Sequence, residues 1–268
     1  MRFHAFIRIQ FFDTFVSTIN SQASIAETLC FHITPEAITM CAIQKDHTFS
    51  AYTQFLLDMF DDYLSESNAN NHIYLEFNSH SFSKAMANTK SVKSVRMKLS
   101  CYRGTPSLLF DMEMLDGISI RQDLSVKVLQ LQEFSIYEEP NTAPPFLKLC
   151  VRKAKELRGV LSRMKIVDDA ISIEANNQGM LNVSSSNVTV FMETTFSSVQ
   201  AVDTDTSTVI SAHMRVDIKS LMKALASIQV EPKAVHFCFN DVALIIYVIM
   251  KAGAGNVTYF IPGQIVEE

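Results

Sequence analysis

Glycine is scarce in this sequence, with 7 glycines among 268 residues. A loop that cradles phosphates needs glycines that lead into a helix, and the glycines of KAGAGNVT, 251–258, lead into a strand-like run instead. Long apolar runs are missing as well, since the longest, Val242–Met250, is far shorter than the roughly 20 residues that a membrane-spanning helix needs. We therefore expect neither a phosphate-cradling loop nor a membrane partner.

Signatures of metal and catalytic sites are also missing. The 5 cysteines do not fall at metal-ligand spacings, and the 7 histidines form no HExxH motif. His236 and Cys238 lie close together, but the apolar run VHFCF around them favours a core position over nucleophilic catalysis. We predict no catalytic residue, no metal and no cofactor, with buried free thiols in a reducing compartment.

One pattern occurs four times along the chain: an amphipathic helix followed by two strand-like runs that a polar turn joins. The helices begin near Phe12, Ser79, Arg152 and Asp217, at intervals of about 65 to 75 residues. A helix of this kind covers one face of a sheet, so tandem copies bury their helices on a shared layer. The pattern predicts an α+β fold dominated by antiparallel sheet, and it favours a scaffold over an enzyme.

The four repeats favour two domains of ordinary size. The stretch LQEFSIYEEPNTAPP carries three prolines and three glutamates, and it follows neither the helical nor the strand period. We predict an N-terminal domain over 1–130, an interdomain connector over 131–145 and a C-terminal domain over 146–268.

The net charge of −5 conceals a segregation of charge along the chain. The helical segments 10–22, 79–93, 152–165 and 217–228 hold eleven basic and three acidic residues, a net of +8, which leaves −13 on the remainder. The cations expected on exposed helix faces are Lys84, Lys90, Lys93, Arg152, Lys155, Arg158, Arg163, Lys165, Lys219 and Lys223. Such faces suit contact with DNA phosphates without base preference, whereas an ordinary solvated surface is the alternative for each helix taken alone.

These features resemble the DNA sliding clamps typified by proliferating cell nuclear antigen, and more closely the Hus-type subunit of the heterotrimeric checkpoint clamp, the nine-one-one complex. MRFHAFI is similar to that family's first strand, NNHIYLEFNSHSFSKAMANTKSVKSVRMKLS to its middle segment and VTYFIP to its last strand. The resemblance implies a sliding-clamp fold of two tandem domains. Each domain has two β-α-β-β-β units, with helices on the inner face and antiparallel sheets outside.

The function that this resemblance implies is that of a non-enzymatic subunit of a nuclear ring. The ring encircles double-stranded DNA without sequence preference, acts in the DNA damage checkpoint and serves as a platform for repair enzymes. The implied partners are two paralogous Rad-type clamp subunits, a clamp loader, and repair or checkpoint proteins. Two alternatives stay open: a homotrimeric replicative processivity clamp, and an intracellular enzyme with an unrecognised site.

The resemblance also implies two kinds of partner surface. Clamp rings close by pairing edge strands, here near 117–124 and 187–196, with the interface residues Ile118, Ile120, Val188 and Val190. The connector and the last strand commonly form a groove for client peptides, here bordered by Met40, Leu131, Ile136, Tyr137, Pro232, Phe260, Ile261 and Pro262. Packing of the connector on its own sheet is the alternative for each of these apolar residues.

Overall fold

The structure, a computed structural model, describes residues 1–46, 48–87, 89, 91–197, 199–202, 209–228 and 232–264. The chain divides into two compact units. The first comprises Met1–Lys45, Ala51–Glu139 and Met250–Asn256, and the second comprises Asp46–Ser50, Pro140–Ile249 and Val257–Glu268. The division between Glu139 and Pro140 falls inside the segment 131–145, and the domain bounds 1–130 and 146–268 stay predictions.

The first unit contains two repeats of a strand, a helix and three strands. The first repeat consists of β1 (Arg2–Ile7), α1 (Ile9–Gln22), β2 (Thr28–Ile33), β3 (Ala37–Ile43) and β4 (Ser50–Leu56), and β5 (Phe60–Glu66) follows it. The second repeat consists of β6 (Ile73–Asn78), α2 (Ser79–Ala85), β7 (Val92–Tyr102), β8 (Thr105–Met114) and β9 (Ser119–Ser125), and β10 (Lys127–Val128) follows it. The connector then begins with α3 (Leu131–Phe134) and a 3₁₀ turn, Ser135–Tyr137.

The second unit repeats this arrangement. Its first repeat consists of β11 (Leu147–Cys150), α4 (Ala154–Met164), β12 (Ala170–Asn176), β13 (Leu181–Ser186) and β14 (Phe191–Phe196), and β15 (Gln200–Ala201) follows it. Its second repeat consists of β16 (Ser211–Asp217), α5 (Ile218–Ser227), β17 (Ala234–Phe239), β18 (Ala243–Ile249) and β19 (Gly255–Pro262). The predicted repeats are thus present as four β-α-β-β-β units.

The two repeats of a unit exchange their first strands. In the first unit one sheet has the order β5, β1, β7, β8, β9, and the other has the order β10, β6, β2, β3, β4. Each first strand therefore lies in the sheet built by the other repeat. The second unit shows the same exchange, because β16 pairs with β12 and β11 pairs with β17. Neither repeat of a pair can complete its own sheet alone.

A closing strand after each repeat was not predicted from the sequence. β5, β10 and β15 pair with the first strands β1, β6 and β11 of their own repeats, and an isolated bridge joins Val216 to Gly263 in the fourth repeat. Two of these strands have two residues each, too few for a period to be read. In β5 the backbone of Asp62 has a positive φ of 46°, which interrupts the regular strand geometry.

The cores of the two units differ in composition. In the first unit the ring of Phe15 is fully buried, with its centroid 4.9 Å from that of Phe55 and 6.4 Å from that of Phe31 and of Phe82. In the second unit the helices bury mainly aliphatic side chains: Leu157, Val160, Leu161, Met164, Ile218, Leu221 and Leu225. Both sets remove apolar surface from water and so fix which face of each helix points outward.

Candidate nucleic-acid and partner interfaces

α4 carries the strongest concentration of exposed cations. Because Leu157, Leu161 and Met164 are fully buried, the helix turns its other side to solvent. Lys155, Arg158, Arg163 and Lys165 are all exposed, and within the described residues none of the four lies in an ion pair. This part of the surface therefore carries a net positive charge, of the kind that attracts phosphates, although Lys165 lies near enough to Asp169 to help lower the pKa of that carboxyl.

The residues just before α4 differ from those on the helix. Lys153 is the N-cap residue and makes no side-chain cap bond, although its Nζ lies 3.4 Å from Oε2 of Glu156. Arg152 donates from its guanidinium to the side-chain oxygen of Gln200 over 3.2 Å. Arg152, which the sequence placed on the helix, thus lies outside it and is held toward β15.

α5 presents its cations beside acidic residues. Asp217 caps the helix by accepting the N–H of Ser220 over 2.6 Å, a common reason for a helix to begin after Asp. The ammonium of Lys219 lies 2.7 Å from Asp169, and this pairing raises the pKa of Lys219 and lowers that of Asp169. Lys223 is half-buried. The positive charge of α5 is therefore partly neutralised by neighbouring carboxylates.

The first unit holds few of the predicted helix cations. α2 ends at Ala85, and the exposed Lys84 lies in its last turn. The placement of Lys93 on this helix was wrong: it lies in β7, where its Nζ is 3.0 Å from Glu113. A positive φ of 68° at Ser91, just before β7, marks the turn of the chain away from the helix. Lys90 lies outside the described residues.

α1 carries neither lysine nor arginine. Its buried side includes Phe11, Phe12 and Phe15, and its exposed positions include Gln10 and Asp13. The exposed face of α1 is therefore neutral to acidic.

β9 is the last strand of its sheet in the described part of the chain. The N–H of Met114 donates to the C=O of Ile118 over 2.8 Å, which marks a hydrogen-bonded pair just before the strand. Such pairs alternate along an antiparallel ladder. The main-chain groups of Ser119, Arg121 and Asp123 therefore point away from β8, toward the open edge.

The predicted interface residues of this edge lie at the start of β9. Ile118 precedes the strand and is 57% exposed, and Ile120 is half-buried within it. An exposed apolar side chain beside an open strand edge is a common feature of surfaces that another chain covers.

β14 ends the corresponding sheet of the second unit, but the predicted Val188 and Val190 do not lie in it. They belong to the preceding turn, where the side chain of Asn187 accepts the N–H groups of Thr189 (2.9 Å) and Val190 (2.8 Å). The placement of Val190 in an edge strand was therefore wrong, because its N–H closes this turn. Asn187 is a strong turn former, a signal that the sequence contained.

The open edge of the second unit begins at Phe191, one residue after this turn. The N–H of Asn187 donates to the C=O of Val190 over 2.9 Å, so the next pair along the ladder is not hydrogen-bonded. By alternation, the main-chain groups of Phe191, Glu193 and Thr195 point to the open edge. Phe191, which was not predicted as an interface residue, is 65% exposed.

Four of the predicted groove residues lie in the first unit. Met40 is fully buried in β3, and Tyr137 is buried, with its hydroxyl donating to Glu76 over 2.7 Å. Leu131 and Ile136 are 63% and 61% exposed. The connector thus turns two large apolar side chains outward while Tyr137 fixes it to the sheet.

A ladder of stacked rings, not predicted from the sequence, holds the connector on this sheet. The ring of Phe134 lies 4.4 Å from that of Tyr74, which in turn lies 4.7 Å from His32. The Nε2 of His32 is 2.9 Å from the Nδ1 of His72. Burial and the neighbouring His72 lower the pKa of His32 to about 4. These aromatic side chains are far apart in sequence, so no local pattern reveals them.

The other four predicted groove residues lie in the second unit. Phe260 and Ile261 are buried in β19, Pro262 is exposed at its end, and Pro232 is half-buried. Phe260 and Ile261 are therefore core residues of this unit.

Cys238, which was considered for catalysis, and Cys30 are both buried thiols. Burial raises the pKa of Cys238 to about 11 and that of Cys30 to about 12, so both thiols stay protonated near neutrality. Within the described ranges, no three His, Cys, Asp or Glu side chains come together as a metal site. In the same part of the chain no helix is both long enough and apolar enough to cross a membrane.

Known proteins with similar folds were found among solved structures. Proliferating cell nuclear antigen from Thermococcus kodakaraensis superposes with a TM-score of 0.76 at 17% identity, covering 98% of this chain and 100% of the other. The homologous antigen from Entamoeba histolytica gives a TM-score of 0.78 at 13% identity, covering 98% and 99%. The chain therefore has the sliding-clamp fold.

Three relatives that are similar in sequence are all named checkpoint protein HUS1 or its homolog. The human checkpoint protein HUS1 is 25% identical, covering 86% of this chain and 92% of the relative. The Dictyostelium discoideum homolog is 27% identical, covering 88% and 89%, and the Schizosaccharomyces pombe protein is 23% identical, covering 92% of each. A family model described as Hus1-like protein matches residues 1–265. The chain thus belongs to the Hus1-like protein family, as a checkpoint clamp subunit and not a replicative homotrimer.

Proposed function

We propose that this chain is a non-enzymatic subunit of a heterotrimeric clamp that encircles double-stranded DNA in the nucleus. It acts in the DNA damage checkpoint and carries repair enzymes. Its partners are two paralogous Rad-type clamp subunits, a clamp loader, and repair or checkpoint proteins. One observation carries this proposal: a member of the Hus1-like family with a clamp fold exposes a cationic face on α4.

The DNA contact rests on charge and not on base recognition. The exposed cations of α4 are long, flexible side chains without a fixed array of hydrogen-bond partners in the described residues. Side chains of this type contact phosphates at any sequence, and the contact releases counterions from DNA. Binding is therefore weak, salt-sensitive and indifferent to base sequence.

Ring closure rests on the two open edges. β9 and β14 each present main-chain donors and acceptors that have no partner strand on that side among the described residues. A neighbouring clamp subunit that adds a strand to each edge satisfies these groups, which is the usual energetic basis of strand addition. The exposed Phe191 and Ile118 add apolar area beside the two ladders.

Client binding rests on the connector. Leu131 and Ile136 project from a segment that is fastened at several points, including the ion pair of Lys127 with Glu133 at 2.8 Å. A rigid segment loses little conformational entropy when a peptide binds, so exposed apolar side chains on it are efficient anchors. We assign the client surface to this part of the first unit.

The DNA contact is tested by reversing one charge on α4. In the reconstituted heterotrimer, Arg158→Glu should weaken DNA binding and flatten the dependence of log K on log salt by up to about 0.9 for each phosphate that the helix no longer neutralises. The matched control is Lys45→Glu, which makes the same change of charge at a side chain that is 93% exposed on the other unit. Equal salt slopes for the two variants, on rings confirmed intact, would show that α4 does not face DNA.

Assembly is tested by removing one outward donor from β14. Thr195→Pro deletes an N–H that points to the open edge and so should abolish heterotrimer formation, measured by light scattering, while the chain itself stays folded. Thr195→Val is the control, because it loses the same hydroxyl, which lies 3.2 Å from Asn182, but keeps the backbone donor. A heterotrimer unaffected by Thr195→Pro, or a stable homotrimer of this chain, would contradict the proposal.

A further inference from the structure

Ser162 lies on the exposed, cationic side of α4. It is exposed in the last turn of the helix, and its Oγ donates to the C=O of Arg158 over 2.9 Å. At 100° per residue, Ser162 lies with Lys155, Arg158 and Lys165 inside an arc of about 80°. Glu156, the acidic residue of this helix, lies about 120° away from Ser162. The hydroxyl thus lies on the same side of α4 as these cations, whereas the acid of the helix lies on another side.

Other helical serines of the chain have different surroundings. In α5, Ser220 and Ser227 are buried. In α2, Ser81 is exposed, but its helix carries Lys84 and no other lysine or arginine, and its hydroxyl lies 3.3 Å from the capping oxygen of Asn78. Of these four serines, Ser162 is therefore the one at which a negative charge changes the field of the predicted DNA-facing surface most.

We propose that Ser162 is a phosphorylation site through which a basophilic serine/threonine kinase reduces the affinity of this subunit for DNA. The inference rests on the proposed DNA contact of α4. In the reaction the hydroxyl oxygen of Ser162 forms a bond to the γ-phosphorus of ATP, and the bond from that phosphorus to the β,γ-bridging oxygen breaks. ADP leaves, and the hydroxyl proton passes to solvent through the base of the kinase.

Recognition by such a kinase follows from charge. Kinases that select basic substrates read cationic side chains on either side of the acceptor, and Ser162 has Arg158 four residues before it, Arg163 directly after it and Lys165 three residues after it. Because α4 would face DNA in the closed ring, the unassembled or unloaded subunit is the substrate.

The consequence for DNA follows from the same geometry. A phosphoserine carries a charge of about −1.5 to −2 at neutral pH and three acceptor oxygens. It is within reach of Arg158, one turn before it, and of Lys165, about one turn after it, and it pairs with them in place of DNA phosphates. A negative charge in the last turn also opposes the helix dipole, which loosens the end of α4 that holds Arg163.

The effect is tested with phosphoserine incorporated at position 162 in the full chain, assembled into the heterotrimer. We expect the salt slope of DNA binding to flatten by about 1.8, because two DNA phosphates are no longer neutralised, while Ser162→Ala keeps the unmodified slope. Phosphoserine at position 81 is the matched control, and it should flatten the slope by about 0.9 at most, because Lys84 is the one cation of α2.

Two outcomes separate this inference from the proposed function. If Arg158→Glu flattens the slope and phosphoserine at 162 does not, the inference is wrong and the DNA contact stands. If neither change has an effect, the proposed DNA contact fails and the inference fails with it.

The acceptor itself is tested by treating the purified full chain with a panel of basophilic kinases and Mg-ATP, followed by peptide mass spectrometry. We expect phosphate on Ser162, with incorporation reduced at least several-fold in the Arg158→Ala variant. Absence of phosphate at Ser162 with every kinase of the panel would overturn the assignment.

Discussion

α1 and α4 both follow the first strand of their repeat, and both bury an apolar face on a sheet. The two helices nevertheless differ in the side chains that they bury and in the side chains that they expose. α1 buries phenylalanines, including Phe15, and exposes the acidic Asp13. α4 buries aliphatic side chains, including Leu161, and exposes a row of cations. The fold constrains the buried face, whereas the exposed face is free to serve a partner. The same architecture thus supports a neutral surface in one unit and a cationic surface, which we propose faces DNA, in the other.

The largest expected effect is on the free energy of unfolding, and it tests the buried faces of α1 and α4. Phe15→Ala should lower the free energy of unfolding by about 3 to 5 kcal/mol, and Leu161→Ala by about 2 to 5 kcal/mol, since both remove a fully buried side chain. Urea unfolding measures both changes. A decrease below about 1 kcal/mol for either would show that its helix face is not part of a core.

A smaller effect concerns the starts of the helices. Asp217→Ala removes the cap of α5 and should cost about 0.5 to 2 kcal/mol. Conversely, α4 has no side-chain cap, so Lys153→Asp should stabilise it by up to about 1 kcal/mol. Denaturant unfolding of the two variants gives the signs. If Lys153→Asp destabilised the protein, the 3.4 Å contact of Lys153 with Glu156 would outweigh a new cap.

The exposed faces of α1 and α4 can be compared by adding a positive charge to α1. Asp13→Lys places a cation at an exposed position of α1 and should steepen the salt slope of DNA binding by up to about 0.9. Gln10→Ala is the neutral control at the same exposed face. An unchanged slope for Asp13→Lys would show that this face of α1 does not contact DNA phosphates.

A further effect that we expect is a dependence of stability on pH in the first unit. The pKa of His32 is about 4 in the folded chain, below the usual value of 6.5, because of burial and His72. The unfolded chain then binds more protons between these values, so stability present above pH 6.5 is lost as the pH falls toward 4. His32→Gln should flatten this decline in thermal unfolding between about pH 7 and pH 5. An identical decline in the variant would assign it to other groups.

The sequence predicted the repeated elements because each has a local signature. The apolar arc of α4 and the turn at Asn240-Asp241 are read directly from spacing and turn chemistry. By contrast, the exchange of β1 and β6 between sheets is a long-range choice that leaves no local trace. The end of α2 at Ala85 was missed, although the weak helix formers Asn88, Thr89 and Val92 beyond it could have indicated it. Among site residues, Arg158 and Lys155 could be placed on an outer helix face from spacing alone.

The pairing of residues across sheets was beyond such reasoning. Tyr74 stacks on Phe134 because the register of β6 brings it beneath the connector, and register depends on the whole sheet. The turn at Asn187 could have been predicted, because Asn is a common turn residue. The edge strand was nevertheless predicted to begin at this residue, too early in the chain.

The exchange of first strands also sets an order of events during synthesis. The sheet that ends in β9 needs β1, made first, together with β7 and β8, made some 90 residues later. While the ribosome is still within the second repeat, β1 can pair with β5 but not yet with β7, so the apolar face of its sheet is incomplete. The nascent subunit therefore depends on protection from aggregation until about 125 residues have emerged, and each half of the clamp is gained or lost as a whole.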